Sequence, residues 1–543
     1  MARATLHTHS GKPQMTNTAT ATRGMVVAPH HLAAQSGLAI LRDGGNAIEA
    51  MVAAAATIAV VYPHMNAIGG DGFWIAHAPD AEPIAIDACG AAAARATPEW
   101  YRSHGLDTIP ARGPLAANTV AGTVSGWKAA LAIGRRWGGK RTLDRLLDDA
   151  IRYAEHGVPV TASQHANTRD KRAELGAVPG FAEQFLPGGA VPAVGDRFVN
   201  ERLGRTFRRL AKDGLDSFYR GPLADTIAAD LARIGNPLSG DDLARHQAEV
   251  KAPLALALRP GTAYNLPPPT QGLASLMILG IFERLGITEA DGFDHLHGLV
   301  EATKQAFMVR DREITDPAYM RSRPERFLAP GALDAAAAAI DRGEALPWPR
   351  PPSAGDTVWM GAVDGEGRAV SFIQSVYWEF GSGVVLEETG IQWQNRGSSF
   401  RLDDGALNRL APGRKPFHTL NPALFRFDDG RTMPYGTMGG EGQPQTQAAV
   451  LTRYAYFGRP LQEAVSAPRW LLGRTWGEES TTLKLESRVD RGVAVALGLC
   501  GHDVEKVDGF DERMGHAGAL VRHPNGVIEG AADPRSDGGV AAF

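Results

Sequence analysis

The sequence predicts a mixed α+β fold, and three features of the chain support this prediction. A proline-rich stretch, residues 347–355, precedes two strand-like runs, Val358 to Val363 and Ala369 to Val376, which flank a glycine-rich turn and so predict a β-hairpin. Residues 120–242 show the three-and-four spacing of apolar residues that is typical of amphipathic helices. Strand-like alternation then returns at Leu254 to Leu258.

Caps and chain breakers define the remaining elements. Asn46 is a typical N-cap for an alanine-rich helix that runs to Val61, and Pro63 prevents its continuation. Further helices are predicted at Pro29–Asp43, Val120–Ile133, Leu143–His156, Asn200–Asp213, Pro222–Ile234, Leu273–Leu285, His295–Asp311 and Leu333–Ile340. Further strands are predicted at Pro83–Ala88, Ala263–Leu266 and Thr432–Tyr435.

Composition limits the classes of function. The chain has 543 residues, of which 44% are hydrophobic and 21% charged, as expected for a globular protein with a large core. Its net charge of -4 gives no electrostatic reason to expect nucleic acid or an anionic membrane as a partner. Cys89 and Cys500 are the two cysteines, so a disulfide framework is excluded. Because no Cys/His cluster has zinc-ligand spacing, we expect no metal site.

The N-terminal residues 1–22 are polar and contain no apolar segment, which predicts a disordered lead rather than a signal peptide. The longest apolar run, Met51 to Val61, is roughly half as long as a membrane span requires. We therefore expect a cytoplasmic protein with no membrane partner.

Thr357 occupies an unusual place, at the first position of a predicted strand directly after the proline-rich break. One interpretation is that Thr357 simply begins the strand, since threonine is a common strand former. The other is that the chain is cut before Thr357, which would leave a free amine beside the hydroxyl. Local pattern alone leaves both interpretations open.

Several short motifs occur in one order along the chain, and together they are far more specific than any one alone. They are Ile68-Gly69-Gly70-Asp71-Gly72-Phe73, Thr119-Val120-Ala121-Gly122, Asp216-Ser217-Phe218-Tyr219-Arg220-Gly221, Pro267-Pro268-Pro269, Val300-Glu301-Ala302, Asp356-Thr357, Phe380-Gly381-Ser382-Gly383, Met438-Gly439-Gly440 and Asp533-Pro534-Arg535-Ser536. From about Gly24 to Phe543, the chain resembles the gamma-glutamyltranspeptidase family of N-terminal-nucleophile hydrolases.

The resemblance implies a four-layer αββα sandwich and a precursor that cuts its own Asp356–Thr357 bond. Residues 23–356 would form the large subunit and residues 357–543 the small subunit of one catalytic domain, with the pairing of two such heterodimers left open. Thr357 would be the nucleophile and its new α-amine the general base, because an alcohol needs a base within hydrogen-bond reach. No cofactor and no metal are implied.

Three further residues match catalytic positions of the family. Ser375 matches the second hydroxyl, which assists the nucleophile and the self-cleavage. Gly439 and Gly440 match the oxyanion hole, where backbone N–H groups stabilise a tetrahedral intermediate. Taken without the other motifs, the two glycines are more typical of a tight turn after the strand at Thr432.

The substrate-binding positions depart from the gamma-glutamyl pattern. Cys89 stands where the family has an arginine for the substrate carboxylate. Arg396 and Ser399 replace the glutamine and aspartate that hold the α-amino group, and Tyr377 replaces an asparagine. His418-Thr419 replaces a pair of serines. A cation at Arg396 suits a substrate carboxylate and repels an ammonium group.

These departures agree with a narrower resemblance to the oxamate amidohydrolase branch, carried by stretches such as Asn265–Gly272, Gly355–Gly361 and Trp393–Gly397. That branch implies hydrolysis of oxamate to oxalate and ammonia in purine and ureide breakdown. Arg396 would hold the free carboxylate together with His418 or Thr419, and Arg474 is a second candidate cation. The remaining substrate-binding residues implied are Ser399, Tyr377 and Asn395.

Two alternatives stay open at this point. The first is a gamma-glutamyltransferase, glutathione hydrolase or cephalosporin-type acylase that uses the same nucleophile. The second is a catalytically inactive protein that binds a small molecule, which the intact Asp356-Thr357, Ser375 and Gly439-Gly440 disfavour.

Overall fold

The computed structural model of the protein describes residues 17–348, 356–473 and 480–543. Its strands are β1 (Ala19–Ala21), β2 (Gly24–Ala28), β3 (Asp71–His77), β4 (Ile84–Ala88), β5 (Val158–Pro159), β6 (Arg197–Phe198), β7 (Glu249–Lys251), β8 (Leu254–Leu258), β9 (Gly261–Asn265), β10 (Asp356–Asp364), β11 (Ala369–Tyr377), β12 (Ala423–Phe427), β13 (Thr432–Thr437), β14 (Trp470–Leu472), β15 (Leu483–Glu486), β16 (Val504–Val507), β17 (Ala517–Arg522), β18 (Ile528–Ala532) and β19 (Gly539–Ala542).

The α-helices are α1 (His31–Arg42), α2 (Ala47–Val61), α3 (Pro98–Ser103), α4 (Thr123–Arg136), α5 (Leu143–His156), α6 (Ala162–Leu175), α7 (Phe181–Phe185), α8 (Glu201–Asp213), α9 (Pro222–Arg233), α10 (Gly240–Arg245), α11 (Gly272–Arg284), α12 (Phe293–Glu313), α13 (Pro330–Ala338), α14 (Gly442–Leu451), α15 (Leu461–Ser466) and α16 (Arg491–Leu499).

Two seven-stranded antiparallel sheets form the centre of the molecule. The first sheet has the order β19-β2-β10-β11-β3-β4-β7, and the second has the order β1-β18-β17-β13-β12-β9-β8. A smaller sheet, β14-β15-β16, includes one parallel pair, β15 with β16. The first sheet combines strands from both sides of the Asp356–Thr357 bond, so the two predicted subunits share one sheet.

The two sheets face each other and helices cover their outer surfaces. Phe73 and Trp359 of the first sheet pack against Leu424 and Leu520 of the second in one buried cluster. Helix α2 is buried along its whole length and packs with α1 and α4 behind the first sheet. Helices α11, α12 and α14 cover the second sheet. The order helix, sheet, sheet, helix confirms the predicted αββα sandwich.

Most of the predicted elements are present close to their expected bounds. The hairpin β10–β11 turns through Asp364, whose carbonyl accepts a hydrogen bond from Gly367 N–H. Helix α2 begins with a capping box, in which the Asn46 side chain accepts from Glu49 N–H and the Glu49 side chain accepts from Asn46 N–H. The turn and cap residues were therefore sufficient to predict these elements.

Two predicted segments, residues 1–22 and the proline-rich stretch 347–355, do not match the described structure in full. Residues 1–22 were expected to be a disordered lead, but β1 lies within that range and pairs antiparallel with β18, so the ordered chain begins earlier. The reason is tertiary, because the strand gains its backbone partners from an element about 500 residues away. Of the proline-rich stretch 347–355, residues 349–355 lie outside the described residues.

No helix among the described residues is both long enough and apolar enough to cross a membrane.

The packing between the two sheets generates a stability prediction. Trp359 is buried, donates from Nε1 to Ser371 Oγ at 2.9 Å, and lies against Gly518 of the second sheet. A Cβ atom at Gly518 would approach Trp359 Cζ3 to 2.4 Å. We therefore expect Gly518→Ala to destabilise the protein by about 1–3 kcal/mol, the usual cost of overpacking. The apparent melting temperature measures this effect.

Gly331→Ala is the matched control, because Gly331 lies in α13 and a Cβ atom there would have no neighbour within 4 Å. A Gly518→Ala protein that melts no lower than the Gly331→Ala protein would contradict this account of the contact between the sheets.

Candidate active site

A β-bulge places Thr357 at the start of β10. Asp356 pairs with Tyr377 and Val358 with Gln374, so Ser375 and Val376 of β11 both lie opposite Thr357. Bulges of this kind redirect side chains and are frequent beside active sites. Ser375 Oγ accepts a hydrogen bond from Tyr377 N–H at 2.8 Å, and Thr357 is fully buried. The two hydroxyl residues predicted to be catalytic therefore meet at one irregularity in the sheet.

The turn between β13 and α14 borders the same place. Gly439 and Gly440 have φ angles of +124° and +50°, which favour glycine over residues with a side chain. The next helix, α14, begins at Gly442, and Gln443 in its first turn donates from Nε2 to Thr357 Oγ1 at 3.4 Å. The start of a helix supplies backbone N–H donors suited to a developing negative charge. This arrangement suits the predicted oxyanion hole.

Arg396 provides a buried cation on the other side of the site. It belongs to a short 3₁₀ turn, its guanidinium lies 3.6 Å from the centre of the Tyr377 ring, and Nη2 donates to Thr419 Oγ1 at 3.1 Å. Within the described part of the chain, its Nε and Nη1 have no hydrogen-bond partner. Burial lowers the pKa of Arg396 to about 10, so the side chain stays charged at neutral pH. A buried cation with two unpaired donors is suited to an anionic ligand.

Asp71 accepts hydrogen bonds from several groups near Arg396. Sequence reasoning missed this role, although Asp71 lies in a matched motif. One of its oxygens, Oδ1, accepts from Gly90 N–H and Gly122 N–H, both at 3.0 Å, and from Gln394 Nε2 at 3.2 Å. Its other oxygen, Oδ2, lies 2.9 Å from His418 Nε2. The Asp71 carboxylate is therefore saturated by the protein itself.

Burial shifts the pKa values of both Asp71 and His418. Burial raises the pKa of Asp71 to about 7, while the Gly90 hydrogen bond and the Arg396 charge oppose this rise. Burial, followed by the charges of Arg396 and Lys415, lowers the pKa of His418 well below its usual value. His418 is therefore neutral, and its Nδ1 has no partner among the described residues.

Gln271 is a second residue that sequence reasoning did not single out, although it lies within the matched stretch Asn265–Gly272. Its Nε2 donates to the carbonyl of Thr419 at 2.7 Å and to the carbonyl of Gly440 at 2.8 Å. Its Oε1 accepts from Arg310 Nη1 at 3.1 Å. The buried side-chain amide of Gln271 thus fixes the distance between the turn at Gly440 and Thr419, which is the hydrogen-bond partner of Arg396. No local pattern signals this role, because the bonded residues lie about 150 positions away.

A closed ring of contacts encloses the site. Gln443 accepts at Oε1 from Asn421 Nδ2, and the same nitrogen donates to the Thr419 carbonyl. Thr419 in turn bonds Arg396, which stacks on Tyr377, and Tyr377 N–H returns to Ser375 beside Thr357. The structure therefore brings together Thr357, Ser375, Gly440, Tyr377, Arg396, His418 and Thr419.

The other predicted site residues have different surroundings. Asn395 uses both side-chain groups on the backbone, donating to Ala111 O and accepting from Trp378 N–H. Ser399 is half-buried, and its hydroxyl donates to Phe417 O at 3.4 Å. Arg474 lies outside the described residues. A substrate contact by any of these three residues stays a prediction.

Cys89 is buried near Asp71 and Arg396. Burial, together with the nearby Asp71 and Asp87, raises the pKa of the Cys89 thiol well above its usual value. The side chain is therefore a neutral thiol, which contributes no charge beside Arg396.

Comparison with known proteins agrees with this architecture. The family model for gamma-glutamyltranspeptidase matches residues 33–543. The chain is 58% identical to the oxamate amidohydrolase proenzyme of Klebsiella pneumoniae, over 96% of this chain and 99% of that protein. It is 40% identical to a glutathione hydrolase-like proenzyme of Bacillus subtilis, over 95% of this chain and 98% of that protein. The solved structure of a cephalosporin acylase from Bacillus halodurans superposes with a TM-score of 0.91 at 33% identity, covering 100% of this chain and 99% of that one.

The raised pKa of Asp71 predicts a pH dependence of stability. Because the pKa is about 7 in the folded protein against 3.8 as its ordinary value, the unfolded chain loses this proton first. This group therefore destabilises the fold progressively as the pH rises from about 4 to about 7. We expect Asp71→Asn, which is neutral, to gain melting temperature relative to the wild type as the pH rises across this window.

Melting temperatures of both proteins measured from pH 5 to pH 8 check this expectation. A difference between them that stays constant across the whole range would show that Asp71 is ionised in the folded protein throughout.

Proposed function

The chain belongs to the gamma-glutamyltranspeptidase family, and we propose that it is a self-cleaving amidohydrolase that converts oxamate to oxalate and ammonia. Its relatives are named as amidohydrolases, hydrolases and acylases, which fits an amide hydrolase with an N-terminal threonine. The similarity to the oxamate amidohydrolase proenzyme supports the finer assignment of the substrate. The proposal places the enzyme in purine and ureide breakdown in the cytoplasm.

The observation that carries the substrate assignment is the pair of unpaired donors on buried Arg396. Nε and Nη1 lie on opposite edges of the guanidinium, so a carboxylate can accept from one of them and, in the two-pronged geometry that guanidinium favours, from the second hydrogen of Nη2. Thr419 Oγ1 accepts from Nη2 of the same cation. Oxamate carries a carboxylate attached directly to its amide carbon, and so offers this anion next to the carbon that Thr357 would attack.

The polar groups around Arg396 disfavour a gamma-glutamyl substrate. Such a substrate carries an ammonium group, which needs an anion in the pocket. Among the described residues, Asp71 is the carboxylate whose charge acts on Arg396, and it already accepts hydrogen bonds from Gly90, Gly122 and Gln394 and contacts His418. An ammonium beside Arg396 would meet a like charge in a buried site, which is unfavourable.

The first chemical step forms an ester on Thr357. After cleavage of the Asp356–Thr357 bond, the α-amine takes the hydroxyl proton as the oxygen attacks the amide carbon of oxamate. Backbone N–H groups at Gly439 and Gly440 stabilise the oxyanion, and Ser375 assists the attacking hydroxyl. The carbon–nitrogen bond then breaks, the departing nitrogen takes the proton from the α-ammonium, and ammonia leaves.

The second step releases oxalate. Water attacks the ester carbon while the α-amine of Thr357 takes its proton, and the same oxyanion donors stabilise the new intermediate. The ester bond breaks, the proton returns to the Thr357 oxygen, and oxalate departs. Arg396 holds the second carboxylate throughout, so both steps occur on one fixed substrate orientation.

The two polypeptides produced by cleavage would remain together. Residues 23–356 and 357–543 interleave in both sheets, since β10 lies between β2 and β11 and since β9 pairs with β12. Separating them would expose the core that the sheets share. Association of two such heterodimers remains a further proposal, tested by the mass of the mature protein in solution.

Thr357→Ala tests the nucleophile. We expect this variant to remain a single band on a denaturing gel and to release no ammonia from oxamate, because both the self-cleavage and the hydrolysis require the hydroxyl. Thr357→Ser, which keeps a hydroxyl, is the matched control and should still cleave. Cleavage of the alanine variant with a new N-terminus at position 357 would refute the proposed nucleophile.

Arg396→Gln tests the carboxylate site separately. We expect self-cleavage to continue, while kcat/KM for oxamate falls by about two to four orders of magnitude, because two hydrogen bonds to a charged group are lost. Arg426→Gln is the control, since Arg426 is half-buried on the second sheet and pairs with exposed Glu82. An Arg396→Gln enzyme with unchanged kcat/KM would remove Arg396 from the substrate site while leaving Thr357 as the nucleophile.

A further inference from the structure

A second cluster of ligand-type side chains lies away from the Thr357 site. His297 of α12 approaches Cys500 and His502, which follow α16. The His297 Nδ1 and His502 Nε2 atoms are 2.9 Å apart, and Cys500 Sγ lies 3.7 Å from His297 Nδ1. Both histidines are buried and Cys500 is half-buried. Local spacing does not reveal this cluster, because His297 precedes Cys500 by 203 positions.

The hydrogen bonds of His297 orient one lone pair toward the other two side chains. His297 Nε2 lies 2.8 Å from the carbonyl oxygen of Asp341, which only accepts, so this nitrogen carries the ring proton. His297 Nδ1 is then an acceptor that faces both His502 Nε2 and the Cys500 sulfur. Metal-binding histidines characteristically donate their second ring N–H to a carbonyl or carboxylate in this way.

We propose that His297, Cys500 and His502 bind a zinc ion. Bond lengths of about 2.0–2.1 Å to nitrogen and about 2.3 Å to sulfur place the ligand atoms of a tetrahedral site roughly 3.3–3.6 Å apart. The three ligand atoms here all lie within 4.8 Å of one another, with separations of 2.9 and 3.7 Å for the two contacts given above. Only small side-chain movements would open a tetrahedral site.

Binding would exchange protons for the metal ion. The Cys500 thiol, which donates to the Leu497 carbonyl at 3.3 Å, would lose its proton to solvent and bind as a thiolate. The proton on His502 Nε2 would move to Nδ1, which frees Nε2 as a ligand. Glu301 Oε1 lies 4.0 Å from His502 Nε2, but it accepts a hydrogen bond from Lys304 Nζ at 2.7 Å and so is not counted as a ligand. A solvent water that enters beside half-buried Cys500 would be the fourth ligand.

The site would join the two polypeptides of the mature protein. His297 precedes the proposed cleavage point, whereas Cys500 and His502 follow it. The neighbouring segment of the large subunit is held beside the site, since Ala345 N–H donates to the Cys500 carbonyl and Leu346 N–H donates to Glu301 Oε2. A bound ion would therefore stabilise the segment that leads to the cleavage point.

Metal binding by the mature protein, purified without a histidine tag and treated with a chelator, tests this proposal. We expect one Co²⁺ per heterodimer, used as a spectroscopic substitute for Zn²⁺, with a thiolate-to-cobalt charge-transfer band. We also expect Zn²⁺ affinity by calorimetry to fall at least tenfold in Cys500→Ser and in His502→Gln. His156→Gln, which changes an exposed histidine at the end of α5, should bind like the wild type.

Absence of the charge-transfer band in the wild type would overturn the proposal. Zn²⁺ binding that is equally tight in Cys500→Ser and His502→Gln would also overturn it, because the ion would then bind elsewhere, for example at the N-terminal histidines. The melting temperature of each chelator-treated variant verifies that it is folded. Since the readout is metal binding, its outcome is independent of the proposed hydrolysis of oxamate.

Discussion

The buried guanidinium of Arg396 is the interaction on which the candidate site depends. A buried charge is stable only when partners compensate the loss of water, and the protein supplies the stacked ring of Tyr377 and one hydrogen-bond acceptor, Thr419 Oγ1. The two nitrogens without a partner among the described residues leave that compensation incomplete. An anionic substrate would complete it, so substrate affinity and the stability of the pocket have the same physical origin.

The described residues around Arg396 do not supply acceptors for its Nε and Nη1 atoms. Among the described residues, Asp71 is the carboxylate whose charge acts on Arg396, yet its oxygens are directed toward Gly90, Gly122, Gln394 and His418. Burial also raises its pKa, which weakens it further as a competing anion at neutral pH. The cation is therefore kept available for a ligand, and the proposed substrate preference would arise as much from the saturated aspartate as from the arginine itself.

Features that depend on local sequence were predictable, whereas features that depend on distant contacts were not. The β10–β11 hairpin and the Asn46 cap follow from turn and cap chemistry within a few residues. The bulge opposite Thr357, the two carbonyls bonded by Gln271 and the approach of His297 to Cys500 all join residues that are separated along the chain. The family resemblance supplied the positions of the proposed catalytic residues, but the geometry was needed to show that two nitrogens of Arg396 have no partner among the described residues.

The turnover of three amides by the mature enzyme tests the central claim most directly. Oxamate offers a carboxylate without an ammonium group, a gamma-glutamyl anilide offers both groups, and a glutaryl amide offers a carboxylate at a longer distance. The unpaired donors of Arg396 predict that kcat/KM for oxamate exceeds the other two values by at least about 100-fold, a difference of roughly 2.7 kcal/mol. A kcat/KM for the gamma-glutamyl anilide or the glutaryl amide that equals or exceeds the oxamate value would contradict the proposed substrate.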